Sequence, residues 1–164
     1  MKESRLLESR AVSEVASLLI PLADRQLLLP TVTVAEMVPY TKPERDPEAP
    51  DWYLGDIMWR EARVPLVSYE VMCGEPMPSF NGKSRIAVLN NTGVDEKLPF
   101  LAIATQGIPR LSRVKAEEIH ELEGAKLALF DLMHVTHAGE SVVIPDVAAL
   151  EQAFLDYKKG GLSG

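Results

Sequence analysis

Apolar residues in this chain come in short, closely spaced runs. Leu18-Leu19-Ile20 and Leu27-Leu28-Leu29 flank Pro21-Leu22-Ala23-Asp24-Arg25, a pattern that predicts a hairpin. Val32 and Val34 alternate with Thr31 and Thr33, and Met37 joins them after one slip. A third short strand followed by a turn is expected there. Between Thr41 and Asp51 lie three prolines and five charges, too dense a set of breakers for a helix, so this segment reads as a surface loop. Two strands follow in GDIMWREARVPLVSYE, residues 55–70, and a loop in CGEPMPSFNGKS, residues 73–84. Ile86 to Leu89 and Phe100 to Ala104 then face each other across an Asn- and Gly-rich connection, a second hairpin.

The next stretch is less regular. Gly107 and Pro109 break the pattern, and Lys115 to Leu122 reads as one helical turn. A last hairpin is expected in KLALFDLMHVTHAGESVVIP, residues 126–145, turning at His137 to Ser141. Pro145 ends it and Asp146 stands at an N-cap position. Val147, Leu150, Phe154 and Tyr157 then recur at helical spacing, with Gly160 and Gly161 as the expected stop. Leu6, Leu7, Val12 and Val15 lie among charges, so residues 1–14 read as a helix or a tail, 15–157 as the folded domain and 158–164 as a C-terminal tail. About eight to ten short strands with one terminal helix make a mostly β protein, a barrel or a sandwich.

Composition narrows the partners. At 164 residues the chain makes one compact domain or two small ones sharing a core. A net charge of −7, from 17 basic and 24 acidic residues, repels phosphate backbones, and no basic stripe interleaved with aromatics offsets it; nucleic acid is not an expected partner. The acidity suits a basic protein partner, although a plain solvated surface accounts for it more simply. Cys73 is the single cysteine, which precludes an internal disulfide and fits a reducing compartment. No apolar run approaches the roughly 20 residues that span a bilayer, so a soluble, cytoplasmic protein without membrane insertion is expected.

Signatures of catalysis are missing. The chain has no GxSxG, P-loop, HExxH or CxxC sequence. His134 and His137 lie three apart, on opposite faces of a strand, and His120 stands among acids. No metal or cofactor is expected, and no catalytic residue. An enzyme would need a pocket gathering His134 or Cys73 with a carboxylate. Arg60, set between apolar runs, reads either as a strut bonding backbone carbonyls of its turn or as a cation for a partner's carboxylate, the strut being favoured.

The stretch around Arg60 resembles the CheW-type chemotaxis coupling proteins. In that family a glycine precedes an Asn-Leu-Arg-Gly turn and an apolar strand containing proline. Here Gly55 matches the glycine, Met58-Trp59-Arg60-Glu61 the turn and Val64-Pro65-Leu66-Val67 the strand. Val34, Glu36 and Met37 match an upstream Val-x-Glu-Ile/Val element. The resemblance continues in order through RIAVLNN, LAIATQGIPRLSRVKAEEI and VTHAGESVVIPDVAALEQAF, covering roughly residues 15 to 157. It implies two small five-stranded SH3-like barrels sharing a core, with a C-terminal helix and no catalytic activity. It also implies binding to the regulatory domain of a CheA-like histidine kinase and, in the groove between barrels, to the tip of a methyl-accepting chemoreceptor, at the membrane's inner face. Val34, Met37, Gly55, Arg60 and Glu61 are the implied partner-contact residues. Glu61 in place of the turn glycine, Ser68 in place of an aspartate and Gln106 in place of another are departures. They point toward the ChpC-type accessory members found in chemosensory systems of type IV pili and twitching motility. A β-sandwich docking or scaffold protein outside chemosensing is the alternative.

Overall fold

The computed structural model describes residues 14–163; the expected N-terminal helix or tail lies outside them but for Glu14. Eleven strands form two sheets. The six-stranded sheet contains β1 (Glu14–Pro21), β2 (Gln26–Pro30), β8 (Arg110–Lys115), β9 (His120–Glu121), β10 (Asp131–His137) and β11 (Glu140–Pro145), in the order β8-β1-β2-β11-β10-β9. The five-stranded sheet contains β3 (Val34–Pro39), β4 (Tyr53–Trp59), β5 (Ala62–Val67), β6 (Arg85–Asn90) and β7 (Phe100–Thr105), in the order β3-β6-β7-β5-β4. The five-stranded unit is thus inserted between β2 and β8. Pairings are antiparallel except β2–β11 and β5–β7.

The unbroken apolar runs have a simple cause: their strands are buried on both faces. Along β6, Ile86 and Val88 fill the inside of the five-stranded sheet, while Ala87 and Leu89 point into a core shared by the two sheets. β7 does the same with Ala102 and Ala104 inside, and Leu101 and Ile103 in the shared core. On β2, Leu27 and Leu29 enter the shared core and Leu28 the interior of the six-stranded sheet, beside Leu19, Val114, Val135 and Val142. Both sheets therefore curl around small cores of their own and press their outer faces onto a third.

The terminal helix, α2 (Val147–Ser163), closes that third core with Val147 and Leu150. Asp146 caps it as expected, its Oδ1 accepting from the Ala149 N–H at 3.0 Å. Glu151, almost fully buried, accepts from the N–H and the hydroxyl of Thr92 and so pins the β6–β7 connection to the helix. A short helix, α1 (Tyr69–Met72), follows β5; the Ser68 hydroxyl accepts from the Val71 N–H at 3.3 Å.

Several local expectations change. Arg110–Lys115, for which the pattern after the break at Gly107 and Pro109 predicts no strand, is one, because it pairs along β1 from Leu19↔Arg110 to Glu14↔Lys115 and buries Val114. The expected helical turn over 115–122 is a 3-10 turn at Ala116–Glu118 followed by β9. Around β3 the turn precedes the strand, at Thr31–Thr33. The helix runs through Gly160 to Ser163; glycine costs a helix about 1 kcal/mol but does not by itself end one. One sheet has the expected five strands, and the other gains a sixth in the two-residue β9.

Candidate functional site

β4 and β5 are joined by Arg60 and Glu61 alone, since Trp59 pairs with Ala62. Both loop residues have positive φ, 47° and 65°. Such a turn matches the twist of the flanking strands and ordinarily takes Asn-Gly. Arg60 and Glu61 occupy it against their own side-chain sterics. From this turn Arg60 Nη2 donates to Glu36 Oε1 at 3.1 Å, and Trp59 Nε1 donates to the same oxygen at 3.1 Å. The guanidinium lies over the Trp59 ring, 4.8 Å from its centroid, and that ring meets Phe100 edge to face. Glu36 belongs to β3 and Trp59 to β4, the two edges of the five-stranded sheet. One carboxylate oxygen therefore clasps the edges together.

Arg60 is thus a strut, though not the one expected. Its recorded partner is the Glu36 carboxylate rather than a backbone carbonyl. Of the other residues expected to contact a partner, Glu61 shares this turn, while Val34, Met37 and Gly55 lie apart from it. Val34 and Met37 are half-buried and pack against the shared core. Gly55 lies further back on β4, with φ at +129°, where a Cβ would sit 2.2 Å from the Glu44 carbonyl oxygen. The loop crosses β4 at that point and makes a single bridge, Glu44↔Asp56; only glycine allows so close an approach.

An apolar groove of about 260 Å³ opens on the six-stranded sheet, over the core that this sheet curls around, and no residue of the five-stranded sheet lines it. Val15, Leu28, Pro30, Val114, Ile119 and Ile144 line it. Two residues beyond Pro30, Val32 is 82% exposed. The sequence hid this groove because Ile119 sits among acids, and Val114 in a strand whose other residues are polar or exposed.

A larger polar cleft, about 520 Å³, lies between the β1–β2 turn, α1 and β10. Its hub is Asp131, which accepts from the Tyr69 hydroxyl at 2.6 Å, His134 Nε2 at 2.7 Å and the Ala128 N–H at 2.9 Å. Arg25 pairs with Asp24, Glu75 and, at 3.5 Å, Asp131. Burial works to raise the Asp131 carboxyl, but these hydrogen bonds and Arg25 outweigh it and hold the group below the ordinary carboxylate value. Cys73 lines the same cleft, so it gathers a cysteine, a histidine and a carboxylate. The chemistry of a nucleophile does not follow. Burial pushes the Cys73 thiol up despite the nearby Arg25, which keeps it protonated, and His134 Nε2 is engaged by Asp131. His137 is elsewhere, buried with its Nε2 3.0 Å from the Ser112 hydroxyl. Among the described residues, no three His, Cys, Asp or Glu side chains converge as metal ligands.

Compared with protein families, residues 16–154 match the CheW-like domain. The chain belongs to the CheW-like domain family. A CheW-like fold is also found among solved structures: the scaffolding protein TtCheW from Thermoanaerobacter tengcongensis aligns with a TM-score of 0.68. That alignment covers 80% of this chain and 88% of the other, at 16% identity. No curated protein sequence matches significantly. The CheW-like architecture of two sheets around a shared core, closed by a C-terminal helix, is the one described above. No helix among the described residues is long and apolar enough to cross a membrane.

Proposed function

We propose that this CheW-like protein is a non-catalytic adaptor that couples a chemoreceptor to a CheA-like histidine kinase. The observation that carries this reading is the apolar groove on the six-stranded sheet, in a chain whose CheW-like domain spans residues 16–154. An amphipathic helix laid into such a groove buries its apolar face against Val15, Pro30, Val114 and Ile119. The chemoreceptor tip is the helix assigned to it. Val34 and Met37 lie outside this groove, against the shared core, and act on partners only through the position of β3. The kinase's regulatory domain, a barrel pair of the same kind, meets the exposed end of the five-stranded sheet, where Arg60 and Glu61 form the β4–β5 turn. Glu61, which departs from the family glycine, supports a partner set different from that of flagellar chemotaxis, and we place the protein with the ChpC-type accessory members of type IV pilus systems. It works in the cytoplasm, held at the membrane's inner face by the receptor array.

Calorimetric titration with a receptor-tip peptide and with a CheA-like regulatory domain tests the reading. Ile119→Asp abolishes receptor-tip binding and leaves kinase-domain binding within about twofold. Absence of binding to both partners by the unmodified protein overturns the proposal.

A further inference from the structure

A second cleft, about 400 Å³, is not used by the coupling reading. It opens where the loop before β4 passes the last turns of α2. One wall is aromatic. Tyr53 and Tyr157 line it, 5.8 Å apart between centroids, and Phe154, buried outside the lining, meets Tyr53 edge to face at 5.2 Å. The Lys158 ammonium hangs over this wall, 5.5 Å from the Tyr53 centroid, 5.6 Å from Phe154 and 5.9 Å from Tyr157. The opposite rim carries Glu44, Asp46 and Asp56, with the Arg63 cation beside Asp56. Asp56 is engaged, accepting from the Tyr53 hydroxyl and from Arg63 Nε. Asp46 accepts from the Glu48 N–H. Among the described residues no hydrogen bond or ion pair engages the Glu44 carboxylate, and the Lys158 ammonium has only the ring faces.

Arg63 offsets Asp56, so ring faces on one side and the Glu44 and Asp46 carboxylates on the other supply the negative potential facing one open space. Ring faces attract a cation whose charge is partly stripped of water, and a free carboxylate at the rim adds a hydrogen-bonding partner. A lysine or arginine side chain is built for both, with an apolar stem for the rings and a charged head for the rim. Lys158 already demonstrates the fit from within. Its hold is loose, because it rests on the rings without reaching a carboxylate.

We propose that this cleft is a docking site for a lysine or arginine side chain projecting from a partner protein, and that Lys158 is an internal occupant which the incoming cation displaces. A protein surface, rather than a free cation, is the occupant favoured by the open rim and by the chain's net charge of −7, which draws basic surfaces toward it. The inference stands independently of the coupling reading.

The test uses the full chain and the peptide acetyl-Gly-Lys-Gly-amide, followed by amide shifts in NMR spectra. Saturable shifts are expected at Tyr53, Gly55 and residues 154–158, and none with the peptide acetylated on lysine Nζ. Lys158→Ala vacates the rings and tightens binding about threefold, since the competent state is no longer shared with an internal cation. Tyr157→Leu, with an otherwise unchanged spectrum, abolishes it. Equal binding of the acetylated peptide, or no gain in Lys158→Ala, overturns the proposal. Tighter binding of tetramethylammonium than of the peptide overturns the assignment to a protein partner.

Discussion

Glu61 is the residue whose placement runs most plainly against its chemistry. At φ 65° its Cβ crowds the backbone, a conformation that costs non-glycine residues about 1–2 kcal/mol. Glu61→Gly relieves this at the expense of some added freedom in the unfolded chain. A net gain of about 1 kcal/mol is expected, read as a rise of about 2–4 °C in the thermal midpoint; a lower midpoint contradicts the account. Gly55 is glycine for two reasons, its own φ of +129° and the approach of the Glu44 carbonyl. The sequence marks both positions, but as a single motif. It does not reveal that one is demanded by a crossing loop and the other tolerated under strain, because Glu44 and Gly55 meet only through the loop's path.

At the scale of elements, the clasp on Glu36 holds β3 and β4, strands that share no ladder. Its two donors differ in kind. The Arg60 pair is exposed, with side-chain exposures of 70% and 41%, so a double-mutant cycle of Glu36→Gln and Arg60→Gln should yield a coupling of about 1 kcal/mol or less, falling as salt is raised. The Trp59 hydrogen bond is neutral on one side and half-buried, and the part of the Glu36 effect that survives in high salt belongs to it. A coupling that salt leaves untouched contradicts this division. The element reading also shows where pattern fails. β6 and β7 were plain in the sequence because both faces are apolar, whereas β8 was not. As an edge strand it buries only Val114, and Leu111 is 69% exposed, so no period of two appears. It is a strand because β1 offers it a ladder. The clasp was equally hidden, its carboxylate and guanidinium standing 24 residues apart.

For the whole molecule, the tie between the two sheets has a titratable centre. Asp131 on β10 is bonded to Tyr69 in α1, next to the five-stranded sheet, and lies near Arg25 in the β1–β2 turn. Because its folded-state affinity for protons is depressed, it contributes stability in full above the unfolded value, near 3.9. That contribution is lost as pH falls through the still lower folded value. Asp131→Asn should therefore be less stable than the unmodified protein at neutral pH, with the gap in urea-melt midpoints closing below about pH 4. A gap that is constant with pH contradicts the assignment. The two-sheet class was legible from the short apolar runs together with the family resemblance. The cleft around Asp131 was not, since Arg25 and Asp131, which meet in it, stand 106 residues apart.

The insertion of one sheet within the other also sets an order on the chain as it is made. Residues 34–105 hold every strand of the five-stranded unit, so that unit has all its partners once β7 emerges from the ribosome. β1 and β2 emerge earlier, yet β1 waits for β8 and β2 for β11, the last of the eleven strands to be synthesised. Until then the Leu-rich hairpin has one half of its neighbours missing and the face carrying Leu19 and Leu28 wet. The nascent chain is accordingly most vulnerable at its oldest end, and the inserted unit is the platform on which the hairpin can shelter Ile20, Leu27 and Leu29 while the rest arrives.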